Sequence, residues 1–228
     1  MEPHRELGTG IEDFRPDLNA GAQAYFDKAW EFTQTFYGKE LRQISSVKLS
    51  EVTPEHFFNE YAWVVHATGF SAKAVGKFMP RLMDAYGPWR TLGGTAVEIV
   101  LNRVSQVVNN PQKIKAVHAM AGRMVAGVRE HGWPAYRDES LSTPELLGKL
   151  PYIGKVTRFH LGRNIGLLEC VKPDLHLERM AAHWGFKTCE DMCRAVRPGG
   201  VPLGIVDLAL WYAASTFGTV ELRKDGDR

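Results

Sequence analysis

The sequence predicts an all-α protein of about ten helices. Three observations lead there. Apolar residues recur at three- and four-residue steps through most of the chain, the spacing of one helix face. No strong alternating apolar–polar signal of half-buried strands stands out. Helix-start signals also recur, at Thr53-Pro54-Glu55, Thr143-Pro144-Glu145 and Lys172-Pro173-Asp174, where Pro and an oxygen-bearing side chain suit a first turn. A length of 228 residues fits one large domain, or one domain in two lobes that share a core.

In chain order, residues 1–17 are broken by Pro3, Gly8, Gly10 and Pro16 and read as an arm or loop. From Leu18 an aromatic stripe (Tyr25, Phe26, Trp30, Phe32, Phe36, Tyr37) predicts a core-facing helix up to Gly38. Lys39 to Val52 is polar, a connector with a short element. Thr53-Pro54 opens a helix whose buried face carries Phe57, Phe58, Tyr61, Val64 and Val65 and which ends near Gly69. Ser71 opens the next, kinked by Pro80 and stopped by Gly87-Pro88. Trp89 to Gly94 reads as a turn. Thr95 to Val108 reads as a buried helix, although its β-branched residues also permit a strand.

Asn110-Pro111 punctuates, Gln112 to Glu130 is amphipathic, and His131-Gly132-Trp133-Pro134 reads as a loop. A short helix runs from Thr143 to Leu150. Glu190 to Val196 forms another, Pro198-Gly199-Gly200 breaks the chain, and Asp207 to Phe217 is a last apolar helix with Asp207 as its N-cap. The tail from Glu221 is charged and frayed. The domain limits are 1–53 for an N-terminal arm and helix, 54–218 for the main domain and 219–228 for the tail.

Composition narrows the function classes. No run of about 18 uninterrupted apolar residues predicts a membrane span, and no apolar segment behind the charged N-terminus predicts a secretory signal. Three Cys make an odd, sparse set that suits a reducing cytoplasm. Net charge is only +2. From Lys149 to Lys187, however, seven Lys/Arg face three acids. Such a basic face is either an electrostatic footprint for phosphate or a solvated surface.

That basic stretch holds two helix starts in close succession. Leu150-Pro151-Tyr152-Ile153-Gly154 forms a hairpin ahead of a helix, where Gly154 leaves backbone N–H groups to meet an anion. Lys172-Pro173-Asp174 then opens a second helix with Asp174 as N-cap. Leu146 to Leu167, short helix, Leu-Pro-x-Ile-Gly and second helix, resembles the helix-hairpin-helix of the DNA glycosylase superfamily. Asp174-Leu175-His176-Leu177-Glu178-Arg179 is similar to the Asp-x-His-(Val/Leu)-x-Arg box that follows that hairpin. Glu60 to Val75 is similar to the family's early helix, loop and helix, and Val206 to Trp211 to its closing helix. The resemblance covers about residues 54–218.

The resemblance implies two lobes with an active site in the cleft between them, and duplex DNA as partner to a monomer. It implies Asp174 as catalytic carboxylate, stabilising positive charge on the deoxyribose and orienting or deprotonating water. It places Tyr152, Gly154, Lys155, Thr157, Lys172, His176 and Arg179 on DNA, and His66, Thr68 and Phe70 at a base pocket or wedge. Several keep a second reading: Thr157 as a helix cap, His176 as a surface histidine, Arg179 as a partner of Glu178 or Asp174, and His66, Thr68 or Phe70 as core. Trp63 and Trp89 are stacking candidates or buried aromatics. No metal is implied for the chemistry; a monovalent cation at the hairpin is the one ion the family suggests.

Two departures matter. Val156 occupies the slot, eighteen positions before Asp174, where bifunctional members keep a catalytic Lys, so the resemblance implies hydrolysis without lyase chemistry. Lys155, about 100° away around the helix, is assigned to phosphate instead. Tyr152 stands where the hairpin usually has Gly, the position on which phosphate and cation geometry depends. Cys189 and Cys193, at i, i+4 with no further ligands, read as packing rather than an iron–sulfur site. The Lys-Pro-Asp-x-His-Leu variant resembles a divergent branch associated with phage and hypermodified bases, including glucosylated hydroxymethylcytosine. A non-catalytic DNA-binding module and a base-modifying enzyme on the same scaffold are the alternatives.

Overall fold

The computed structural model describes residues 10–70 and 72–218. The expected arm before Gly10, the Ser71 helix start and the charged tail lie outside them. Among the described residues all repeating structure is helical: α1 (Ala22–Ser45), α2 (Pro54–Ala67), α3 (Ala72–Tyr86), α4 (Trp89–Leu92), α5 (Val97–Val104), α6 (Pro111–Ser140), α7 (Pro144–Leu147), α8 (Thr157–Asn164), α9 (Leu175–His183), α10 (Cys189–Val196) and α11 (Leu203–Phe217). None is long and apolar enough to cross a membrane. The chain divides into two units: Val47–Leu167, and residues 10–46 with 168–218.

Side chains fix several helix starts in the first unit. Thr53 Oγ accepts the His56 N–H at 3.1 Å, Asn110 Oδ1 the Lys113 N–H at 3.1 Å, and Thr143 Oγ the Leu146 N–H at 3.3 Å. Each cap is worth about 1 kcal/mol. Helix α6 packs against α2, α4 and α5, and α8 against α2 and α7. The core joins Ile114, Val117, Met120 and Met124 of α6 to Phe57, Phe58, Tyr61 and Val65 of α2.

The expected loop at residues 131–134 is instead a one-residue break. Gly132 takes φ 77°, a left-handed value that suits glycine, and helix resumes to Ser140. The resumed segment folds back so tightly that a Cβ on Gly127 would lie 2.3 Å from the Tyr136 ring. Trp133 Nε1 and the Arg137 guanidinium donate to the carbonyls of Val52 and Ser50. Trp89–Leu92, expected as a turn, forms a single helical turn. In α5 only Val100 and Val104 are buried, and Ile99 is exposed, so this helix is amphipathic rather than buried. Near the end of the unit Gly166 takes φ 94°, and a Cβ there would lie 2.6 Å from the Leu49 nitrogen.

The second unit is built on α1 and α11, with α9 and α10 against α11. Tyr25, Phe26, Phe32 and Tyr37 of α1 meet Leu208, Ala209 and Tyr212 of α11, and the Tyr37 and Tyr212 rings stack at 4.0 Å between centroids. Helix α1 does not stop at Gly38. Gly38 lies on the buried face with Tyr37, Leu41 and Ile44, and burial there offsets the roughly 1 kcal/mol that glycine costs a helix. Helix α11 starts at Leu203, so Asp207 is inside it and not its N-cap.

Candidate active site and nucleic-acid contacts

The candidate residues divide between the two units. In the first, the hairpin Leu150–Gly154 links α7 to α8. The Ile153 N–H closes it on the Leu150 carbonyl at 3.2 Å, and the buried Tyr61 hydroxyl donates to the Pro151 carbonyl. Tyr152 takes φ 62° and is 40% exposed. The hairpin thus has a left-handed residue at the position expected for glycine, at a cost of about 1–2 kcal/mol for a residue with a Cβ.

Gly154 behaves as the effective N-cap of α8. Its carbonyl accepts the Arg158 N–H at 3.1 Å, and its own N–H donates to Thr157 Oγ at 2.7 Å. Thr157 is therefore a reciprocal cap, of the kind in which a third-position side chain reaches back to the helix start. This corrects the expectation that the Gly154 amide is open to an anion. The orphan donors of this helix end are the amides of Lys155, Val156 and Thr157, which have no acceptor among the described residues. Lys155 and Val156 are exposed, and an aliphatic side chain at 156 offers no nucleophile.

The loop after α2 separates its three candidates. His66 is fully buried, its Nε2 2.9 Å from the Tyr86 hydroxyl. Burial, and then the charge of Lys113, push its pKa down to about 4. A ring with no solvent exposure does not reach a base, so His66 is a core residue. Thr68 is exposed, its Oγ donating to the Val64 carbonyl at 3.1 Å. Phe70 is 48% exposed.

Sequence reasoning missed Lys113, which is 2% exposed and donates from Nζ to the carbonyls of His66 (3.1 Å) and Thr68. Its helical spacing with Val117, Met120 and Met124 on the apolar stripe of α6 was the available signal. Trp89 is buried and donates Nε1 to Glu55 at 3.0 Å, which excludes it as an open stacking face. Trp63 lines a pocket of about 290 Å³ between α2 and α3 with Asn59, Glu60, Met79 and Met83. Burial raises the Glu60 carboxyl pKa, against the hydrogen bond from Asn164 Nδ2 at 2.7 Å.

In the second unit Asp174 caps α9. Its Oδ1 accepts the N–H groups of His176 (3.1 Å) and Leu177 (3.2 Å). Its Oδ2 lies 3.4 Å from Lys172 Nζ, with both side chains mostly buried. Lys172, not Arg179, is thus its ion-pair partner; Arg179 is half-buried and pairs with neither Asp174 nor Glu178 among the described residues. The loop ahead of Asp174 is held from below: Asp207, 1% exposed, accepts the Lys172 N–H at Oδ2 (2.8 Å). A lone acid in the apolar run Leu203–Leu210 was the signal for this role, which the N-cap reading of Asp207 did not include. Cys189 and Cys193 are buried in packing. The Cys189 thiol is pushed up to about 12 by burial, then by the charges of Glu178, Asp207 and Asp174, which leaves it inert as a nucleophile.

Asp174 is therefore a carboxylate with one oxygen fixed by helix amides and the other turned to the Lys172 ammonium. The fold around it is shared. It is similar to that of a DNA glycosylase. The solved structure of the 8-oxoguanine DNA glycosylase of Thermotoga maritima aligns with a TM-score of 0.57 and 19% identity, over 92% of this chain and 99% of that one. No family model matches the sequence, and no curated protein matches it.

Proposed function

We propose that this protein is a monofunctional DNA glycosylase that flips a modified or damaged base out of duplex DNA and hydrolyses its N-glycosidic bond. The observation that carries the reading is the state of Asp174, a carboxylate locked at a helix N-terminus behind a helix-hairpin-helix. Bond cleavage builds positive charge on the deoxyribose. A fixed carboxylate stabilises that charge without reorganising, and its Oδ2 can take a proton from the attacking water. The base leaves with the bonding electrons and water adds to C1′, giving an abasic site. Lys172 pairs with Oδ2 in the free protein. On DNA a phosphate offers its ammonium another partner, which removes a cation from beside a developing cation.

The hairpin contributes the orphan amides of Lys155, Val156 and Thr157 and the Lys155 ammonium to a backbone phosphate; Tyr152 presents an exposed ring beside them. His176 and Arg179 follow Asp174 in the same helix start and serve phosphate in this reading. With Val156 in the lysine slot, no amine is available there for a Schiff base, so the product is an abasic site rather than a nicked strand. The substrate proposed from the Lys-Pro-Asp-x-His-Leu variant is a bulky modified cytosine of phage DNA, with defence as the role. Oxidised guanine, named for the structural neighbour, is the comparison substrate.

The test is incubation with duplexes carrying a panel of bases, including 8-oxoguanine and glucosylated hydroxymethylcytosine, followed by alkali cleavage of abasic sites. Asp174→Asn keeps the cap, since Asn caps as well as Asp, and should abolish cleavage with duplex binding retained. Binding without cleavage across the panel would favour a non-catalytic module. A released sugar or substituent with the glycosidic bond intact, seen by mass spectrometry, would favour a base-modifying enzyme.

A further inference from the structure

The hairpin carries a conformation that its own residues do not favour. Tyr152 takes φ 62°, and the other nine positive-φ positions among the described residues are all glycine. A residue with a Cβ resists the left-handed region, whereas glycine enters it about as readily as the right-handed one. Left to its local sequence, this turn is a minority conformation.

A hydrogen bond from the core opposes that preference. Tyr61 of α2 is fully buried, and its ring packs on Phe57 at 6.1 Å between centroids. Its hydroxyl has one hydrogen to give. It faces two carbonyls, that of Ala116 at 3.3 Å and, closer, that of Pro151. Burial pushes the phenol pKa well above the ordinary tyrosine value, so the group remains a donor at every working pH. The Pro151 carbonyl and the Tyr152 N–H belong to one rigid peptide plane. The carbon of that carbonyl is the first atom of the Tyr152 φ torsion. Pinning its oxygen inward therefore fixes the tilt of the plane and favours the left-handed value. The Ile153 N–H then closes on the Leu150 carbonyl at 3.2 Å, and the orphan amides of residues 155–157 follow.

We propose that Tyr61 is a positioning residue for DNA binding: from inside the core it holds the hairpin in the left-handed turn that aims the amides of residues 155–157 at a backbone phosphate, and so does the work of the glycine expected at position 152. This rests on the reading of the hairpin as a DNA contact. Tyr61 itself touches no DNA. The arrangement keeps a ring that is 40% exposed at a turn where glycine would present nothing.

A hairpin that binds in one shape only has its apparent Kd raised by the reciprocal of that shape's population. Tyr61→Phe keeps the ring and its packing and removes the donor. With Tyr152 in place, the Kd for a plain, undamaged duplex should rise about 3- to 10-fold, the range of one hydrogen bond. In the Tyr152→Gly background the turn is populated without help, and Tyr61→Phe should change Kd by less than about twofold. Fluorescence anisotropy of an end-labelled duplex, with the full chain, gives both ratios. Hydrogen exchange of the Ile153 amide gives the same cycle with no DNA present, and decides the matter should Tyr152→Gly bind too weakly to titrate. Tyr61→Phe should speed that exchange about 3- to 10-fold with Tyr152 in place and by less than about twofold in the Tyr152→Gly background. A core role for Tyr61 unrelated to the turn predicts equal ratios in the two backgrounds. Equal ratios overturn the proposal and leave the DNA reading intact, as does a Tyr61→Phe variant that binds and exchanges like wild type. Absence of duplex binding by wild type overturns both.

Discussion

Asp207→Ala should weaken the candidate catalytic loop without weakening DNA binding. Asp207 is 1% exposed and accepts the Lys172 N–H at 2.8 Å. Removing it deletes a hydrogen bond to a charged acceptor, worth about 1.5–3 kcal/mol, and leaves a part-buried N–H without that partner. At roughly 2–4 °C per kcal/mol for a chain of this size, the melting temperature should fall by about 3–12 °C. Asp207→Asn keeps an acceptor oxygen and should lose about half as much. The same bond holds the backbone two residues before Asp174. A displacement of about 1 Å there can cost on the order of 100-fold in rate. Single-turnover excision at saturating enzyme should therefore fall by about 10- to 100-fold while the Kd for duplex stays within about threefold. Circular dichroism melts and quenched time courses on one preparation give both quantities. An unchanged single-turnover rate in a variant that melts early would refute the link between this buried acid and Asp174.

Two further perturbations bear on the first unit. The His66 ring is held to about 4 by burial and by Lys113, against about 6.5 in an unfolded chain. Its depressed folded value makes the unfolded state bind the proton first. The associated stability, about 3 kcal/mol in all, is whole above pH ~6.5 and lost as pH falls towards ~4. The raised Glu60 carboxyl acts with the opposite sign, its contribution whole in acid and lost as pH rises. Urea midpoints at pH 7.5 and 4.5 should therefore separate less in His66→Gln than in wild type, and equal separations would exclude His66. Gly166→Ala puts a Cβ at φ 94° within 2.6 Å of the Leu49 backbone nitrogen. It should cost about 3 kcal/mol or more, and a chemical melt within 1 kcal/mol of wild type, roughly the effect of an ordinary substitution, would refute that clash.

What the sequence showed of this molecule was mostly local. Thr53-Pro54, Thr143-Pro144 and Asp174 announce their helices because a cap is formed within three residues of its acceptor. Leu150–Gly154 was legible as a hairpin for the same reason. A few errors are local, such as the Gly154 amide that Thr157 takes three residues on; the more consequential ones are long-range. Gly38 read as a stop, but the buried face of α1 carries the helix past it. Asp207 looked like a cap because acids favour helix starts; its partner is the Lys172 amide, 35 residues away. His66 matched a motif position, yet its ring is turned to Tyr86, twenty residues on. Lys113 drew no reading from the sequence because its carbonyl acceptors lie 45 and 47 residues earlier.

The order in which the chain is made adds a demand of its own. Helix α1 belongs to the second unit, and its partner α11 is synthesised long after it; Thr33 Oγ reaches the Ala209 carbonyl across 176 positions. At roughly 5–20 residues per second, α1 waits on the order of 9–35 s with Tyr25, Phe26, Phe32 and Tyr37 uncovered. Among the described residues the first unit, by contrast, is continuous in sequence, and Gly166 brings its far end back against Lys48 and Leu49. Folding of that inserted unit would draw the two flanking segments together and shorten the search of α1 for α11. The glycine that lets one backbone pass against another is thus placed to govern how long a newborn chain stays sticky.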